Sequence, residues 1–425
     1  MTTNVPDHLQ NSRPMSADEQ RHFSWLQGDD LKLIFQTLNT STQIRVRAVG
    51  GCVRDSLLGQ TPSDIDLATD HLPEAVLEKL SAKGVRVIPT GLSHGTVTAI
   101  LPSGPMEITT LRRDEQTDGR HATVAFTDDW KIDAERRDFT MNALFVGADN
   151  RLYDPVGGWE DLQASRVQFI GNANERIKED YLRILRFFRF SARFAKHYDE
   201  VAIAAIGNHL TGLESLSRER VGAELLKIIS LPQSPVTLTL MKELGVLGRL
   251  IDAHADTDCF ARWRDIVRSG DVVTGLNALY PSHDEAINDE AVRKRIGAAL
   301  RLSNQQCRQL GDVERCIVQV SKITDKESAK RALYHIGKDL WVSALSLGAA
   351  RGNISKEIFN SYQGLPGQWE IPIFPIGGND LVDLGMVPGP DFSECLAAIE
   401  NLWIEKKYPN RDVALQIARD YIASK

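Results

Sequence analysis

Between residues 50 and 66 the chain gathers residue types that suit a phosphate and a hard metal ion. Gly50 and Gly51 stand side by side, Arg54 and Asp55 follow, and Asp64 and Asp66 close the segment two residues apart. Ile44 to Val49 alternates apolar and basic residues as a strand does, while Val53, Leu57 and Leu58 have the spacing of a short helix. The glycines therefore fall at a strand-to-helix junction, where a missing Cβ lets backbone come close to a phosphate. If residues 63–68 form a strand, Asp64 and Asp66 share one face and Ile65 and Leu67 the other. Two such carboxylates repel unless a hard cation lies between them, and Mg²⁺ commonly takes one or two carboxylates plus substrate phosphates. Each half alone is equally a Gly-Gly turn or a solvated acidic loop. Together, in this order, they point to a site for a nucleotide and a metal.

Three further segments carry chemistry. Glu107 opens the alternating run Glu107-Ile108-Thr109-Thr110-Leu111 and offers a third acid on a neighbouring strand, although alone it reads as a surface glutamate. Arg136-Arg137-Asp138-Phe139-Thr140-Met141-Asn142 sets two guanidinium forks beside polar groups that could orient a triphosphate or ribose; helix-end cations are the plainer reading. In Glu179-Asp180-Tyr181-Leu182-Arg183-Ile184-Leu185-Arg186-Phe187-Phe188-Arg189, helical spacing puts Asp180, Arg183, Arg186 and Arg189 in one row. A basic helix row is ordinarily a solvated face, but here an acid leads it. A carboxylate accepts from an exocyclic amine and a guanidinium donates to a ring nitrogen, which suits cytosine and adenine alike. Uracil would leave buried groups unpaired at about 1–3 kcal/mol each, and guanine fails in the same way.

These segments need a frame. Strands are expected at 44–49, 64–68, 85–88, 96–101, 106–111 and 143–146, with a helix over 73–83. From about Glu175 onward the periodicity is helical throughout. The fold class is α+β, a head with a small mixed sheet followed by all-helical domains. Boundaries are expected at residues 148–160, in Pro232-Gln233-Ser234-Pro235 and at 364–375. The polar stretch 112–129 reads as a mobile loop or a plain connector. Residues 217–226 read as a scaffold helix or a salt-bridged helix face. Gly377-Gly378-Asn379-Asp380 reads as a phosphate-gripping turn or a packing element. His254-Ala255-Asp256 lacks further spaced ligands, so no phosphohydrolase domain is expected.

Composition narrows the classes. A chain of 425 residues suggests two to four domains, and 42% hydrophobic with 25% charged residues is ordinary for a globular protein. No apolar run approaches the ~18 residues of a membrane span. Residues 1–20 are polar and read as a disordered tail rather than a signal. Five scattered cysteines without a Cys-x-x-Cys pair argue against disulfides and zinc and fit a reducing cytoplasm. A net charge of −7 leaves a polyanionic partner to local clusters of basic residues.

Gly50-Gly51-x-Val53-Arg54-Asp55, Leu57-Leu58-Gly59 and Asp64-Ile65-Asp66-Leu67-Ala68-Thr69 together resemble the head of the bacterial class II tRNA CCA-adding enzymes and their poly(A) polymerase relatives. The run 136–144 resembles that family's signature, differing mainly by Met141 for isoleucine, and Glu179-Asp180-x-x-Arg183 resembles its base-reading motif. The resemblance implies that Asp64 and Asp66, with Glu107, hold two Mg²⁺ ions. It implies further that Gly51, Arg54 and Arg137 hold triphosphate and sugar, that Asp180 and Arg183 read the base, and that Arg186 and Arg189 lie near either. The implied activity is template-independent addition of C, C and A to tRNA from CTP and ATP, in the cytoplasm, with no membrane and no obligatory protein partner. A flexible loop at 112–129 would belong to the switch from C to A. The implied domains are a head (21–150), a neck (151–232), a body (233–365) and an RNA-binding tail (366–425). Rivals are a poly(A) polymerase and a catalytically silent RNA-binding protein. Tyr181, where many poly(A) relatives carry proline, leans toward the tRNA enzymes, and the repelling acid pair speaks against a silent scaffold.

Overall fold

The computed structural model describes residues 11–118, 121–251, 255–268, 270–280, 290–387, 389 and 391–424. By internal contacts the chain divides into two units, residues 1–255 with 298–301, and residues 256–297 with 302–425.

The first unit is built on strands β1 (Ser12–Pro14), β2 (Val46–Val49), β3 (Asp66–Thr69), β4 (Arg86–Gly91), β5 (Thr96–Leu101) and β6 (Gly104–Thr110). A separate hairpin follows, β7 (Arg112–Asp118) and β8 (His121–Phe126), and then β9 (Phe145–Val146) and β10 (Arg151–Tyr153). The main sheet has eight strands in the order β1-β10-β9-β2-β3-β6-β5-β4. β3 and β6 run parallel and the other neighbours antiparallel. β2 is central and buried along its whole length.

Helices α1 (Ala17–His22), α2 (Asp29–Leu38), α3 (Gly51–Leu57), α4 (Pro73–Ser81) and α5 (Trp130–Glu135) accompany the strands. α6 (Gly158–Gln163), α7 (Ala173–Glu179), α8 (Leu182–Phe194), α9 (Glu200–Asn208) and α10 (Arg218–Ser230) follow. α2 shows why such segments dock: Leu31, Ile34, Phe35 and Leu38 recur at helical spacing and are all buried. Each such side chain contributes roughly 1.5–3 kcal/mol of transfer free energy before ordering entropy is counted.

The structure departs from the sequence reading in four places. The stretch 1–20 is not a tail throughout: Ser12–Pro14 pairs with Arg151–Tyr153, and Ser16 caps α1 with a capping box. A three-residue edge strand is too short to show alternation, so it left no periodic mark. The polar stretch expected as a loop is the β7–β8 hairpin, with a register shift between Asp114 and Gln116; its turn residues 119 and 120 lie outside the described residues. β7 carries only polar and charged residues, so no apolar alternation marks it as a strand, and its pairing with β8 is a backbone ladder. β3 begins at Asp66, so Asp64 precedes the strand and is exposed. Asp180 stands between α7 and α8 in extended backbone (φ −154°, ψ 106°), off the helix whose row it was expected to lead.

The second unit is helical from Thr257 to Ala423 among the described residues. One apolar cluster gathers Val320, Leu333, Trp341, Leu345 and Phe359, and another gathers Leu381, Ile399, Trp403 and Ile417. Gly377 N–H donates to Asp380 at 2.8 Å, so this turn caps the helix Gly378–Asp383, and Arg411 also pairs with Asp380. His254 lies outside the described residues, and Asp256 is the cap of helix Thr257–Ile266.

Candidate active site

The parallel register of β3 and β6 sets Asp66 directly beside Glu107. Paired residues of neighbouring strands present their side chains to the same face. Asp66 keeps a solvent face, yet the protein crowding its carboxyl pushes the pKa above the ordinary value, and Glu107 and Asp64 push it further while Arg137 opposes them. Asp64 accepts from Ser63 Oγ at 2.9 Å. Among the described residues no three His, Cys, Asp or Glu side chains are gathered closely enough to hold a metal ion by themselves. The donors nevertheless fit a hard divalent ion. They are carboxylate oxygens in mutual repulsion, and Mg²⁺ needs only one or two of them when substrate phosphates and water complete its shell.

The glycine turn lies at the end of β2. Gly50 has φ 75° and ψ −122°, a conformation open to glycine and strained for other residues, and its N–H donates to Leu144 O at 3.1 Å. Gly51 then opens α3. Arg54 is only 5% exposed. Its guanidinium donates to Asp55 at 2.8 Å and to Asn142 Oδ1 at 2.5 Å, and lies over the rings of Phe194 and Phe190. Burial, and then Arg193 and Arg189, lower its pKa against the pull of Asp55. Arg54 thus fixes the glycine turn from behind more than it offers a free fork.

The arginine pair at 136–137 is aimed by Asp133, which is 1% exposed. Arg136 and Arg137 donate to its two oxygens at 2.8 Å and 3.0 Å. Burial alone would raise the Asp133 carboxyl, but Arg137 and Arg136 hold it below the usual carboxylate range. Arg137 also stacks on Phe145, the residue opposite Val49, which brings its charge to the sheet face that carries Asp66.

The arginines of α8 are not a solvated face. Arg183 pairs with Glu179 of α7, Arg186 with Asp138, Arg189 with Glu224 of α10, and Arg193 with Asp55 of α3. Each cation in the row is held by an acid from a different element. Asp138 also accepts from Asn142 Nδ2 at 3.0 Å, so Arg54, Asn142, Asp138 and Arg186 form one continuous polar chain. Burial would raise the Asp138 carboxyl, but Arg186 and Asn142 bring it below the ordinary range.

Asp180 does two things at once. Its Oδ1 accepts from Leu182 N–H at 3.0 Å, capping α8, and its Oδ2 accepts from Arg220 of α10 at 2.5 Å. Arg183 reaches the Arg176 carbonyl at 2.7 Å, while Arg176 donates to the carbonyls of Arg136 and Arg137. Arg176 therefore ties the backbone of Arg136 and Arg137 to the turn that carries Asp180 and Arg183.

Sequence reading did not single out Asp133, Arg176 or Glu179 for these roles, nor Glu224 and Arg220 beyond a scaffold helix. Asp133 had a legible signal, since an acid three and four residues before two arginines on a helix is a local pair. Glu179 is equally local, three residues from Arg176 and four from Arg183, whereas Arg176, Glu224 and Arg220 act across the fold.

Three family models match: the poly A polymerase head domain over residues 46–168, the probable RNA and SrmB-binding site of polymerase A over 199–256, and the putative tRNA nucleotidyltransferase domain 2 over 286–418. The mitochondrial CCA tRNA nucleotidyltransferase 1 of Danio rerio is 36% identical over 381 residues, covering 86% of this chain and 85% of that protein. The CCA-adding enzyme of Streptococcus thermophilus is 27% identical, covering 86% of this chain and 90% of that one. Among solved structures, the Bacillus stearothermophilus CCA-adding enzyme in complex with CTP superposes with a TM-score of 0.70 at 23% identity, over 96% of this chain and 99% of that one. That likeness shows a shared fold.

Proposed function

This chain belongs to the family of tRNA nucleotidyltransferases that includes the CCA-adding enzymes, and from that membership we propose that it adds C, C and A to the 3′ end of tRNA without a template. The observation that carries the proposal beyond membership is the wiring of the site. Arg176 ties the backbone of Arg136 and Arg137 to the segment that carries Asp180 and Arg183, so bond formation and base choice share one rigid support.

In the reaction the tRNA 3′-hydroxyl attacks the α-phosphorus of CTP or ATP. A new phosphodiester forms as the bond to the pyrophosphate breaks. The family uses divalent metal, and we assign two Mg²⁺ ions to Asp64, Asp66 and Glu107; when bound, they supply charge for the phosphoryl oxygens and acidity for the attacking hydroxyl. The Gly50–Gly51 turn and Arg137 bind the triphosphate, with Arg186 and Arg189 behind the base. Asp180 accepts the exocyclic amine of cytosine or adenine and Arg183 donates to the adjacent ring nitrogen. We assign residues 21–150 to the head, 151–232 to the neck, 233–365 to the body and 366–425 to the RNA-binding tail. All five cysteines are free, and we place the enzyme in a reducing, cytoplasmic setting; among the described residues no helix is long and apolar enough to cross a membrane.

Incubation with tRNA lacking all three, the last two, or only the last terminal nucleotide tests the activity. Offered single nucleotides, the protein should add C, C and A in turn and stop. Long A tails on any RNA would show a poly(A) polymerase instead, and no incorporation would show a silent scaffold.

The metal assignment has its own readout. Mg²⁺ or Mn²⁺ should raise the melting temperature by about 2–5 °C at saturation, because the ion binds the folded carboxylates and relieves their repulsion. In the metal-free protein Asp66 has a raised pKa, so its ionisation costs stability as pH rises through that value. The metal requires the ionised form, so its stabilising effect should shrink as pH falls through the same range. A gain unchanged in Asp66→Asn would count against the assignment.

A further inference from the structure

We propose that Tyr181 and Gly212 form a steric brace that sets base selection. The tyrosine ring, seated where only a glycine leaves room, holds the Asp180–Arg183 turn in its reading geometry. The inference rests on the base-reading role proposed above.

Gly212 lies in the short 3₁₀ segment Leu210–Ser215. A Cβ built there would stand 2.1 Å from Cδ1 and Cε1 of Tyr181 and 2.4 Å from its Cγ. Carbon atoms in contact sit about 3.5–4.0 Å apart, so the overlap is far beyond what packing absorbs. Gly212 is not among the glycines with positive φ, so space is what demands glycine here, not backbone conformation. Flipping the ring cannot clear the clash, because Cγ is one bond from Cβ and is moved only by χ1 or by the backbone.

Neither side can retreat. Gly212 N–H donates to His209 O at 3.1 Å, and Ser215 Oγ donates to Gly212 O at 2.7 Å. His209 Nε2 meets Asn174 Oδ1 of α7 at 3.1 Å, and Leu213 is 1% exposed. On the other side Tyr181 is flanked by Asp180 and Leu182, and the bonds Arg183 N–H to Asp180 O (3.0 Å) and Ile184 N–H to Tyr181 O (3.1 Å) make the turn move as one piece. A ring pushed off Gly212 either turns about χ1 out of its seat, so that the brace is lost, or carries Asp180 and Arg183 with it. A 1 Å misplacement of positioning groups can cost about 100-fold.

Both residues are positioning residues, and the test reads selection instead of rate alone. The ratio of kcat/KM for CTP to that for UTP is measured on tRNA lacking its three terminal nucleotides, for the wild type, Gly212→Ala, Tyr181→Ala, the double variant and Asp180→Ala. Gly212→Ala should lower the ratio about tenfold or more, and Tyr181→Ala should lower it too because the brace is gone. In the Tyr181→Ala background the added methyl should have no further effect, as expected for two residues acting through one contact. If Gly212→Ala does not fold, Tyr181→Ala alone decides, and a wild-type ratio there overturns the inference. Equal losses from Gly212→Ala in both backgrounds overturn it as well. A ratio that falls in Asp180→Ala but not in Gly212→Ala overturns the brace and spares the base-reading role. A ratio unchanged in Asp180→Ala overturns both.

Discussion

Asp66→Asn should lower kcat for CMP incorporation by at least about 10³-fold, a transition-state loss of roughly 4 kcal/mol, while the protein stays folded and no less stable. The two expectations have one cause. Asp66 and Glu107 face each other in the register of β3 and β6, and crowding by the protein together with Glu107 and Asp64 raises the Asp66 pKa. On the proposed metal assignment, the partner that relieves this repulsion is the ion that arrives with the nucleotide. Asparagine keeps the size and an acceptor oxygen but removes the charge, so the repulsion disappears with the function. Single-turnover kinetics beside a thermal melt checks both: a near-wild-type kcat would remove Asp66 from the chemistry, and a large drop in melting temperature would make it a structural residue.

The same residue shows how far the sequence could be read. Two aspartates two apart suit a metal-seeking pair, whereas Glu107 on its alternating strand reads alone as a surface glutamate and is named only through the family resemblance. That Asp64 would fall before the strand, and that β3 and β6 would pair in parallel, were not legible, since parallel register depends on how the intervening chain packs. The arginine row of α8 was legible as spacing but not as bonding. Apart from Glu179, four residues from Arg183, its partners lie far off in the chain, Asp138 at 48 residues from Arg186 and Asp55 at 138 from Arg193, and an acid elsewhere in a sequence carries no address. Spacing alone puts Asp180 on the helix because helical periodicity runs through α7 before it and α8 after it. The signal that separates it is chemical: aspartate two residues before a helical run is a common N-terminal cap, and its side chain takes that role here. The hairpin is hidden for the opposite reason: β7 is wholly polar, so the short alternation of Ala122, Val124 and Phe126 in β8 has no second strand pattern to pair with.

Asp180→Asn should lower the CTP-to-UTP preference by about 10- to 100-fold, with a smaller effect on the rate of CMP transfer itself. Asparagine caps helices about as well as aspartate, so its Oδ1 can keep the bond from Leu182 N–H and α8 should start where it does now. That constraint settles the rest of the side chain. With Oδ1 turned to Leu182, the amide nitrogen takes the place of Oδ2, which in the native protein accepts from Arg220. The N–H donor loses the bond from Arg220, and on the proposed base-reading role it offers a donor where cytosine carries an amine and uracil a carbonyl, so the pyrimidine once rejected is matched at that atom. Arg183 still donates toward the ring nitrogen, which uracil holds protonated, so the preference should collapse without inverting. Glu179 keeps Arg183 in place whichever residue stands at 180, since their pairing does not pass through the Asp180 side chain. Competition between CTP and UTP for the first added position reads the change directly, and an unaltered preference would show that the carboxylate at 180 caps a helix and reads no base.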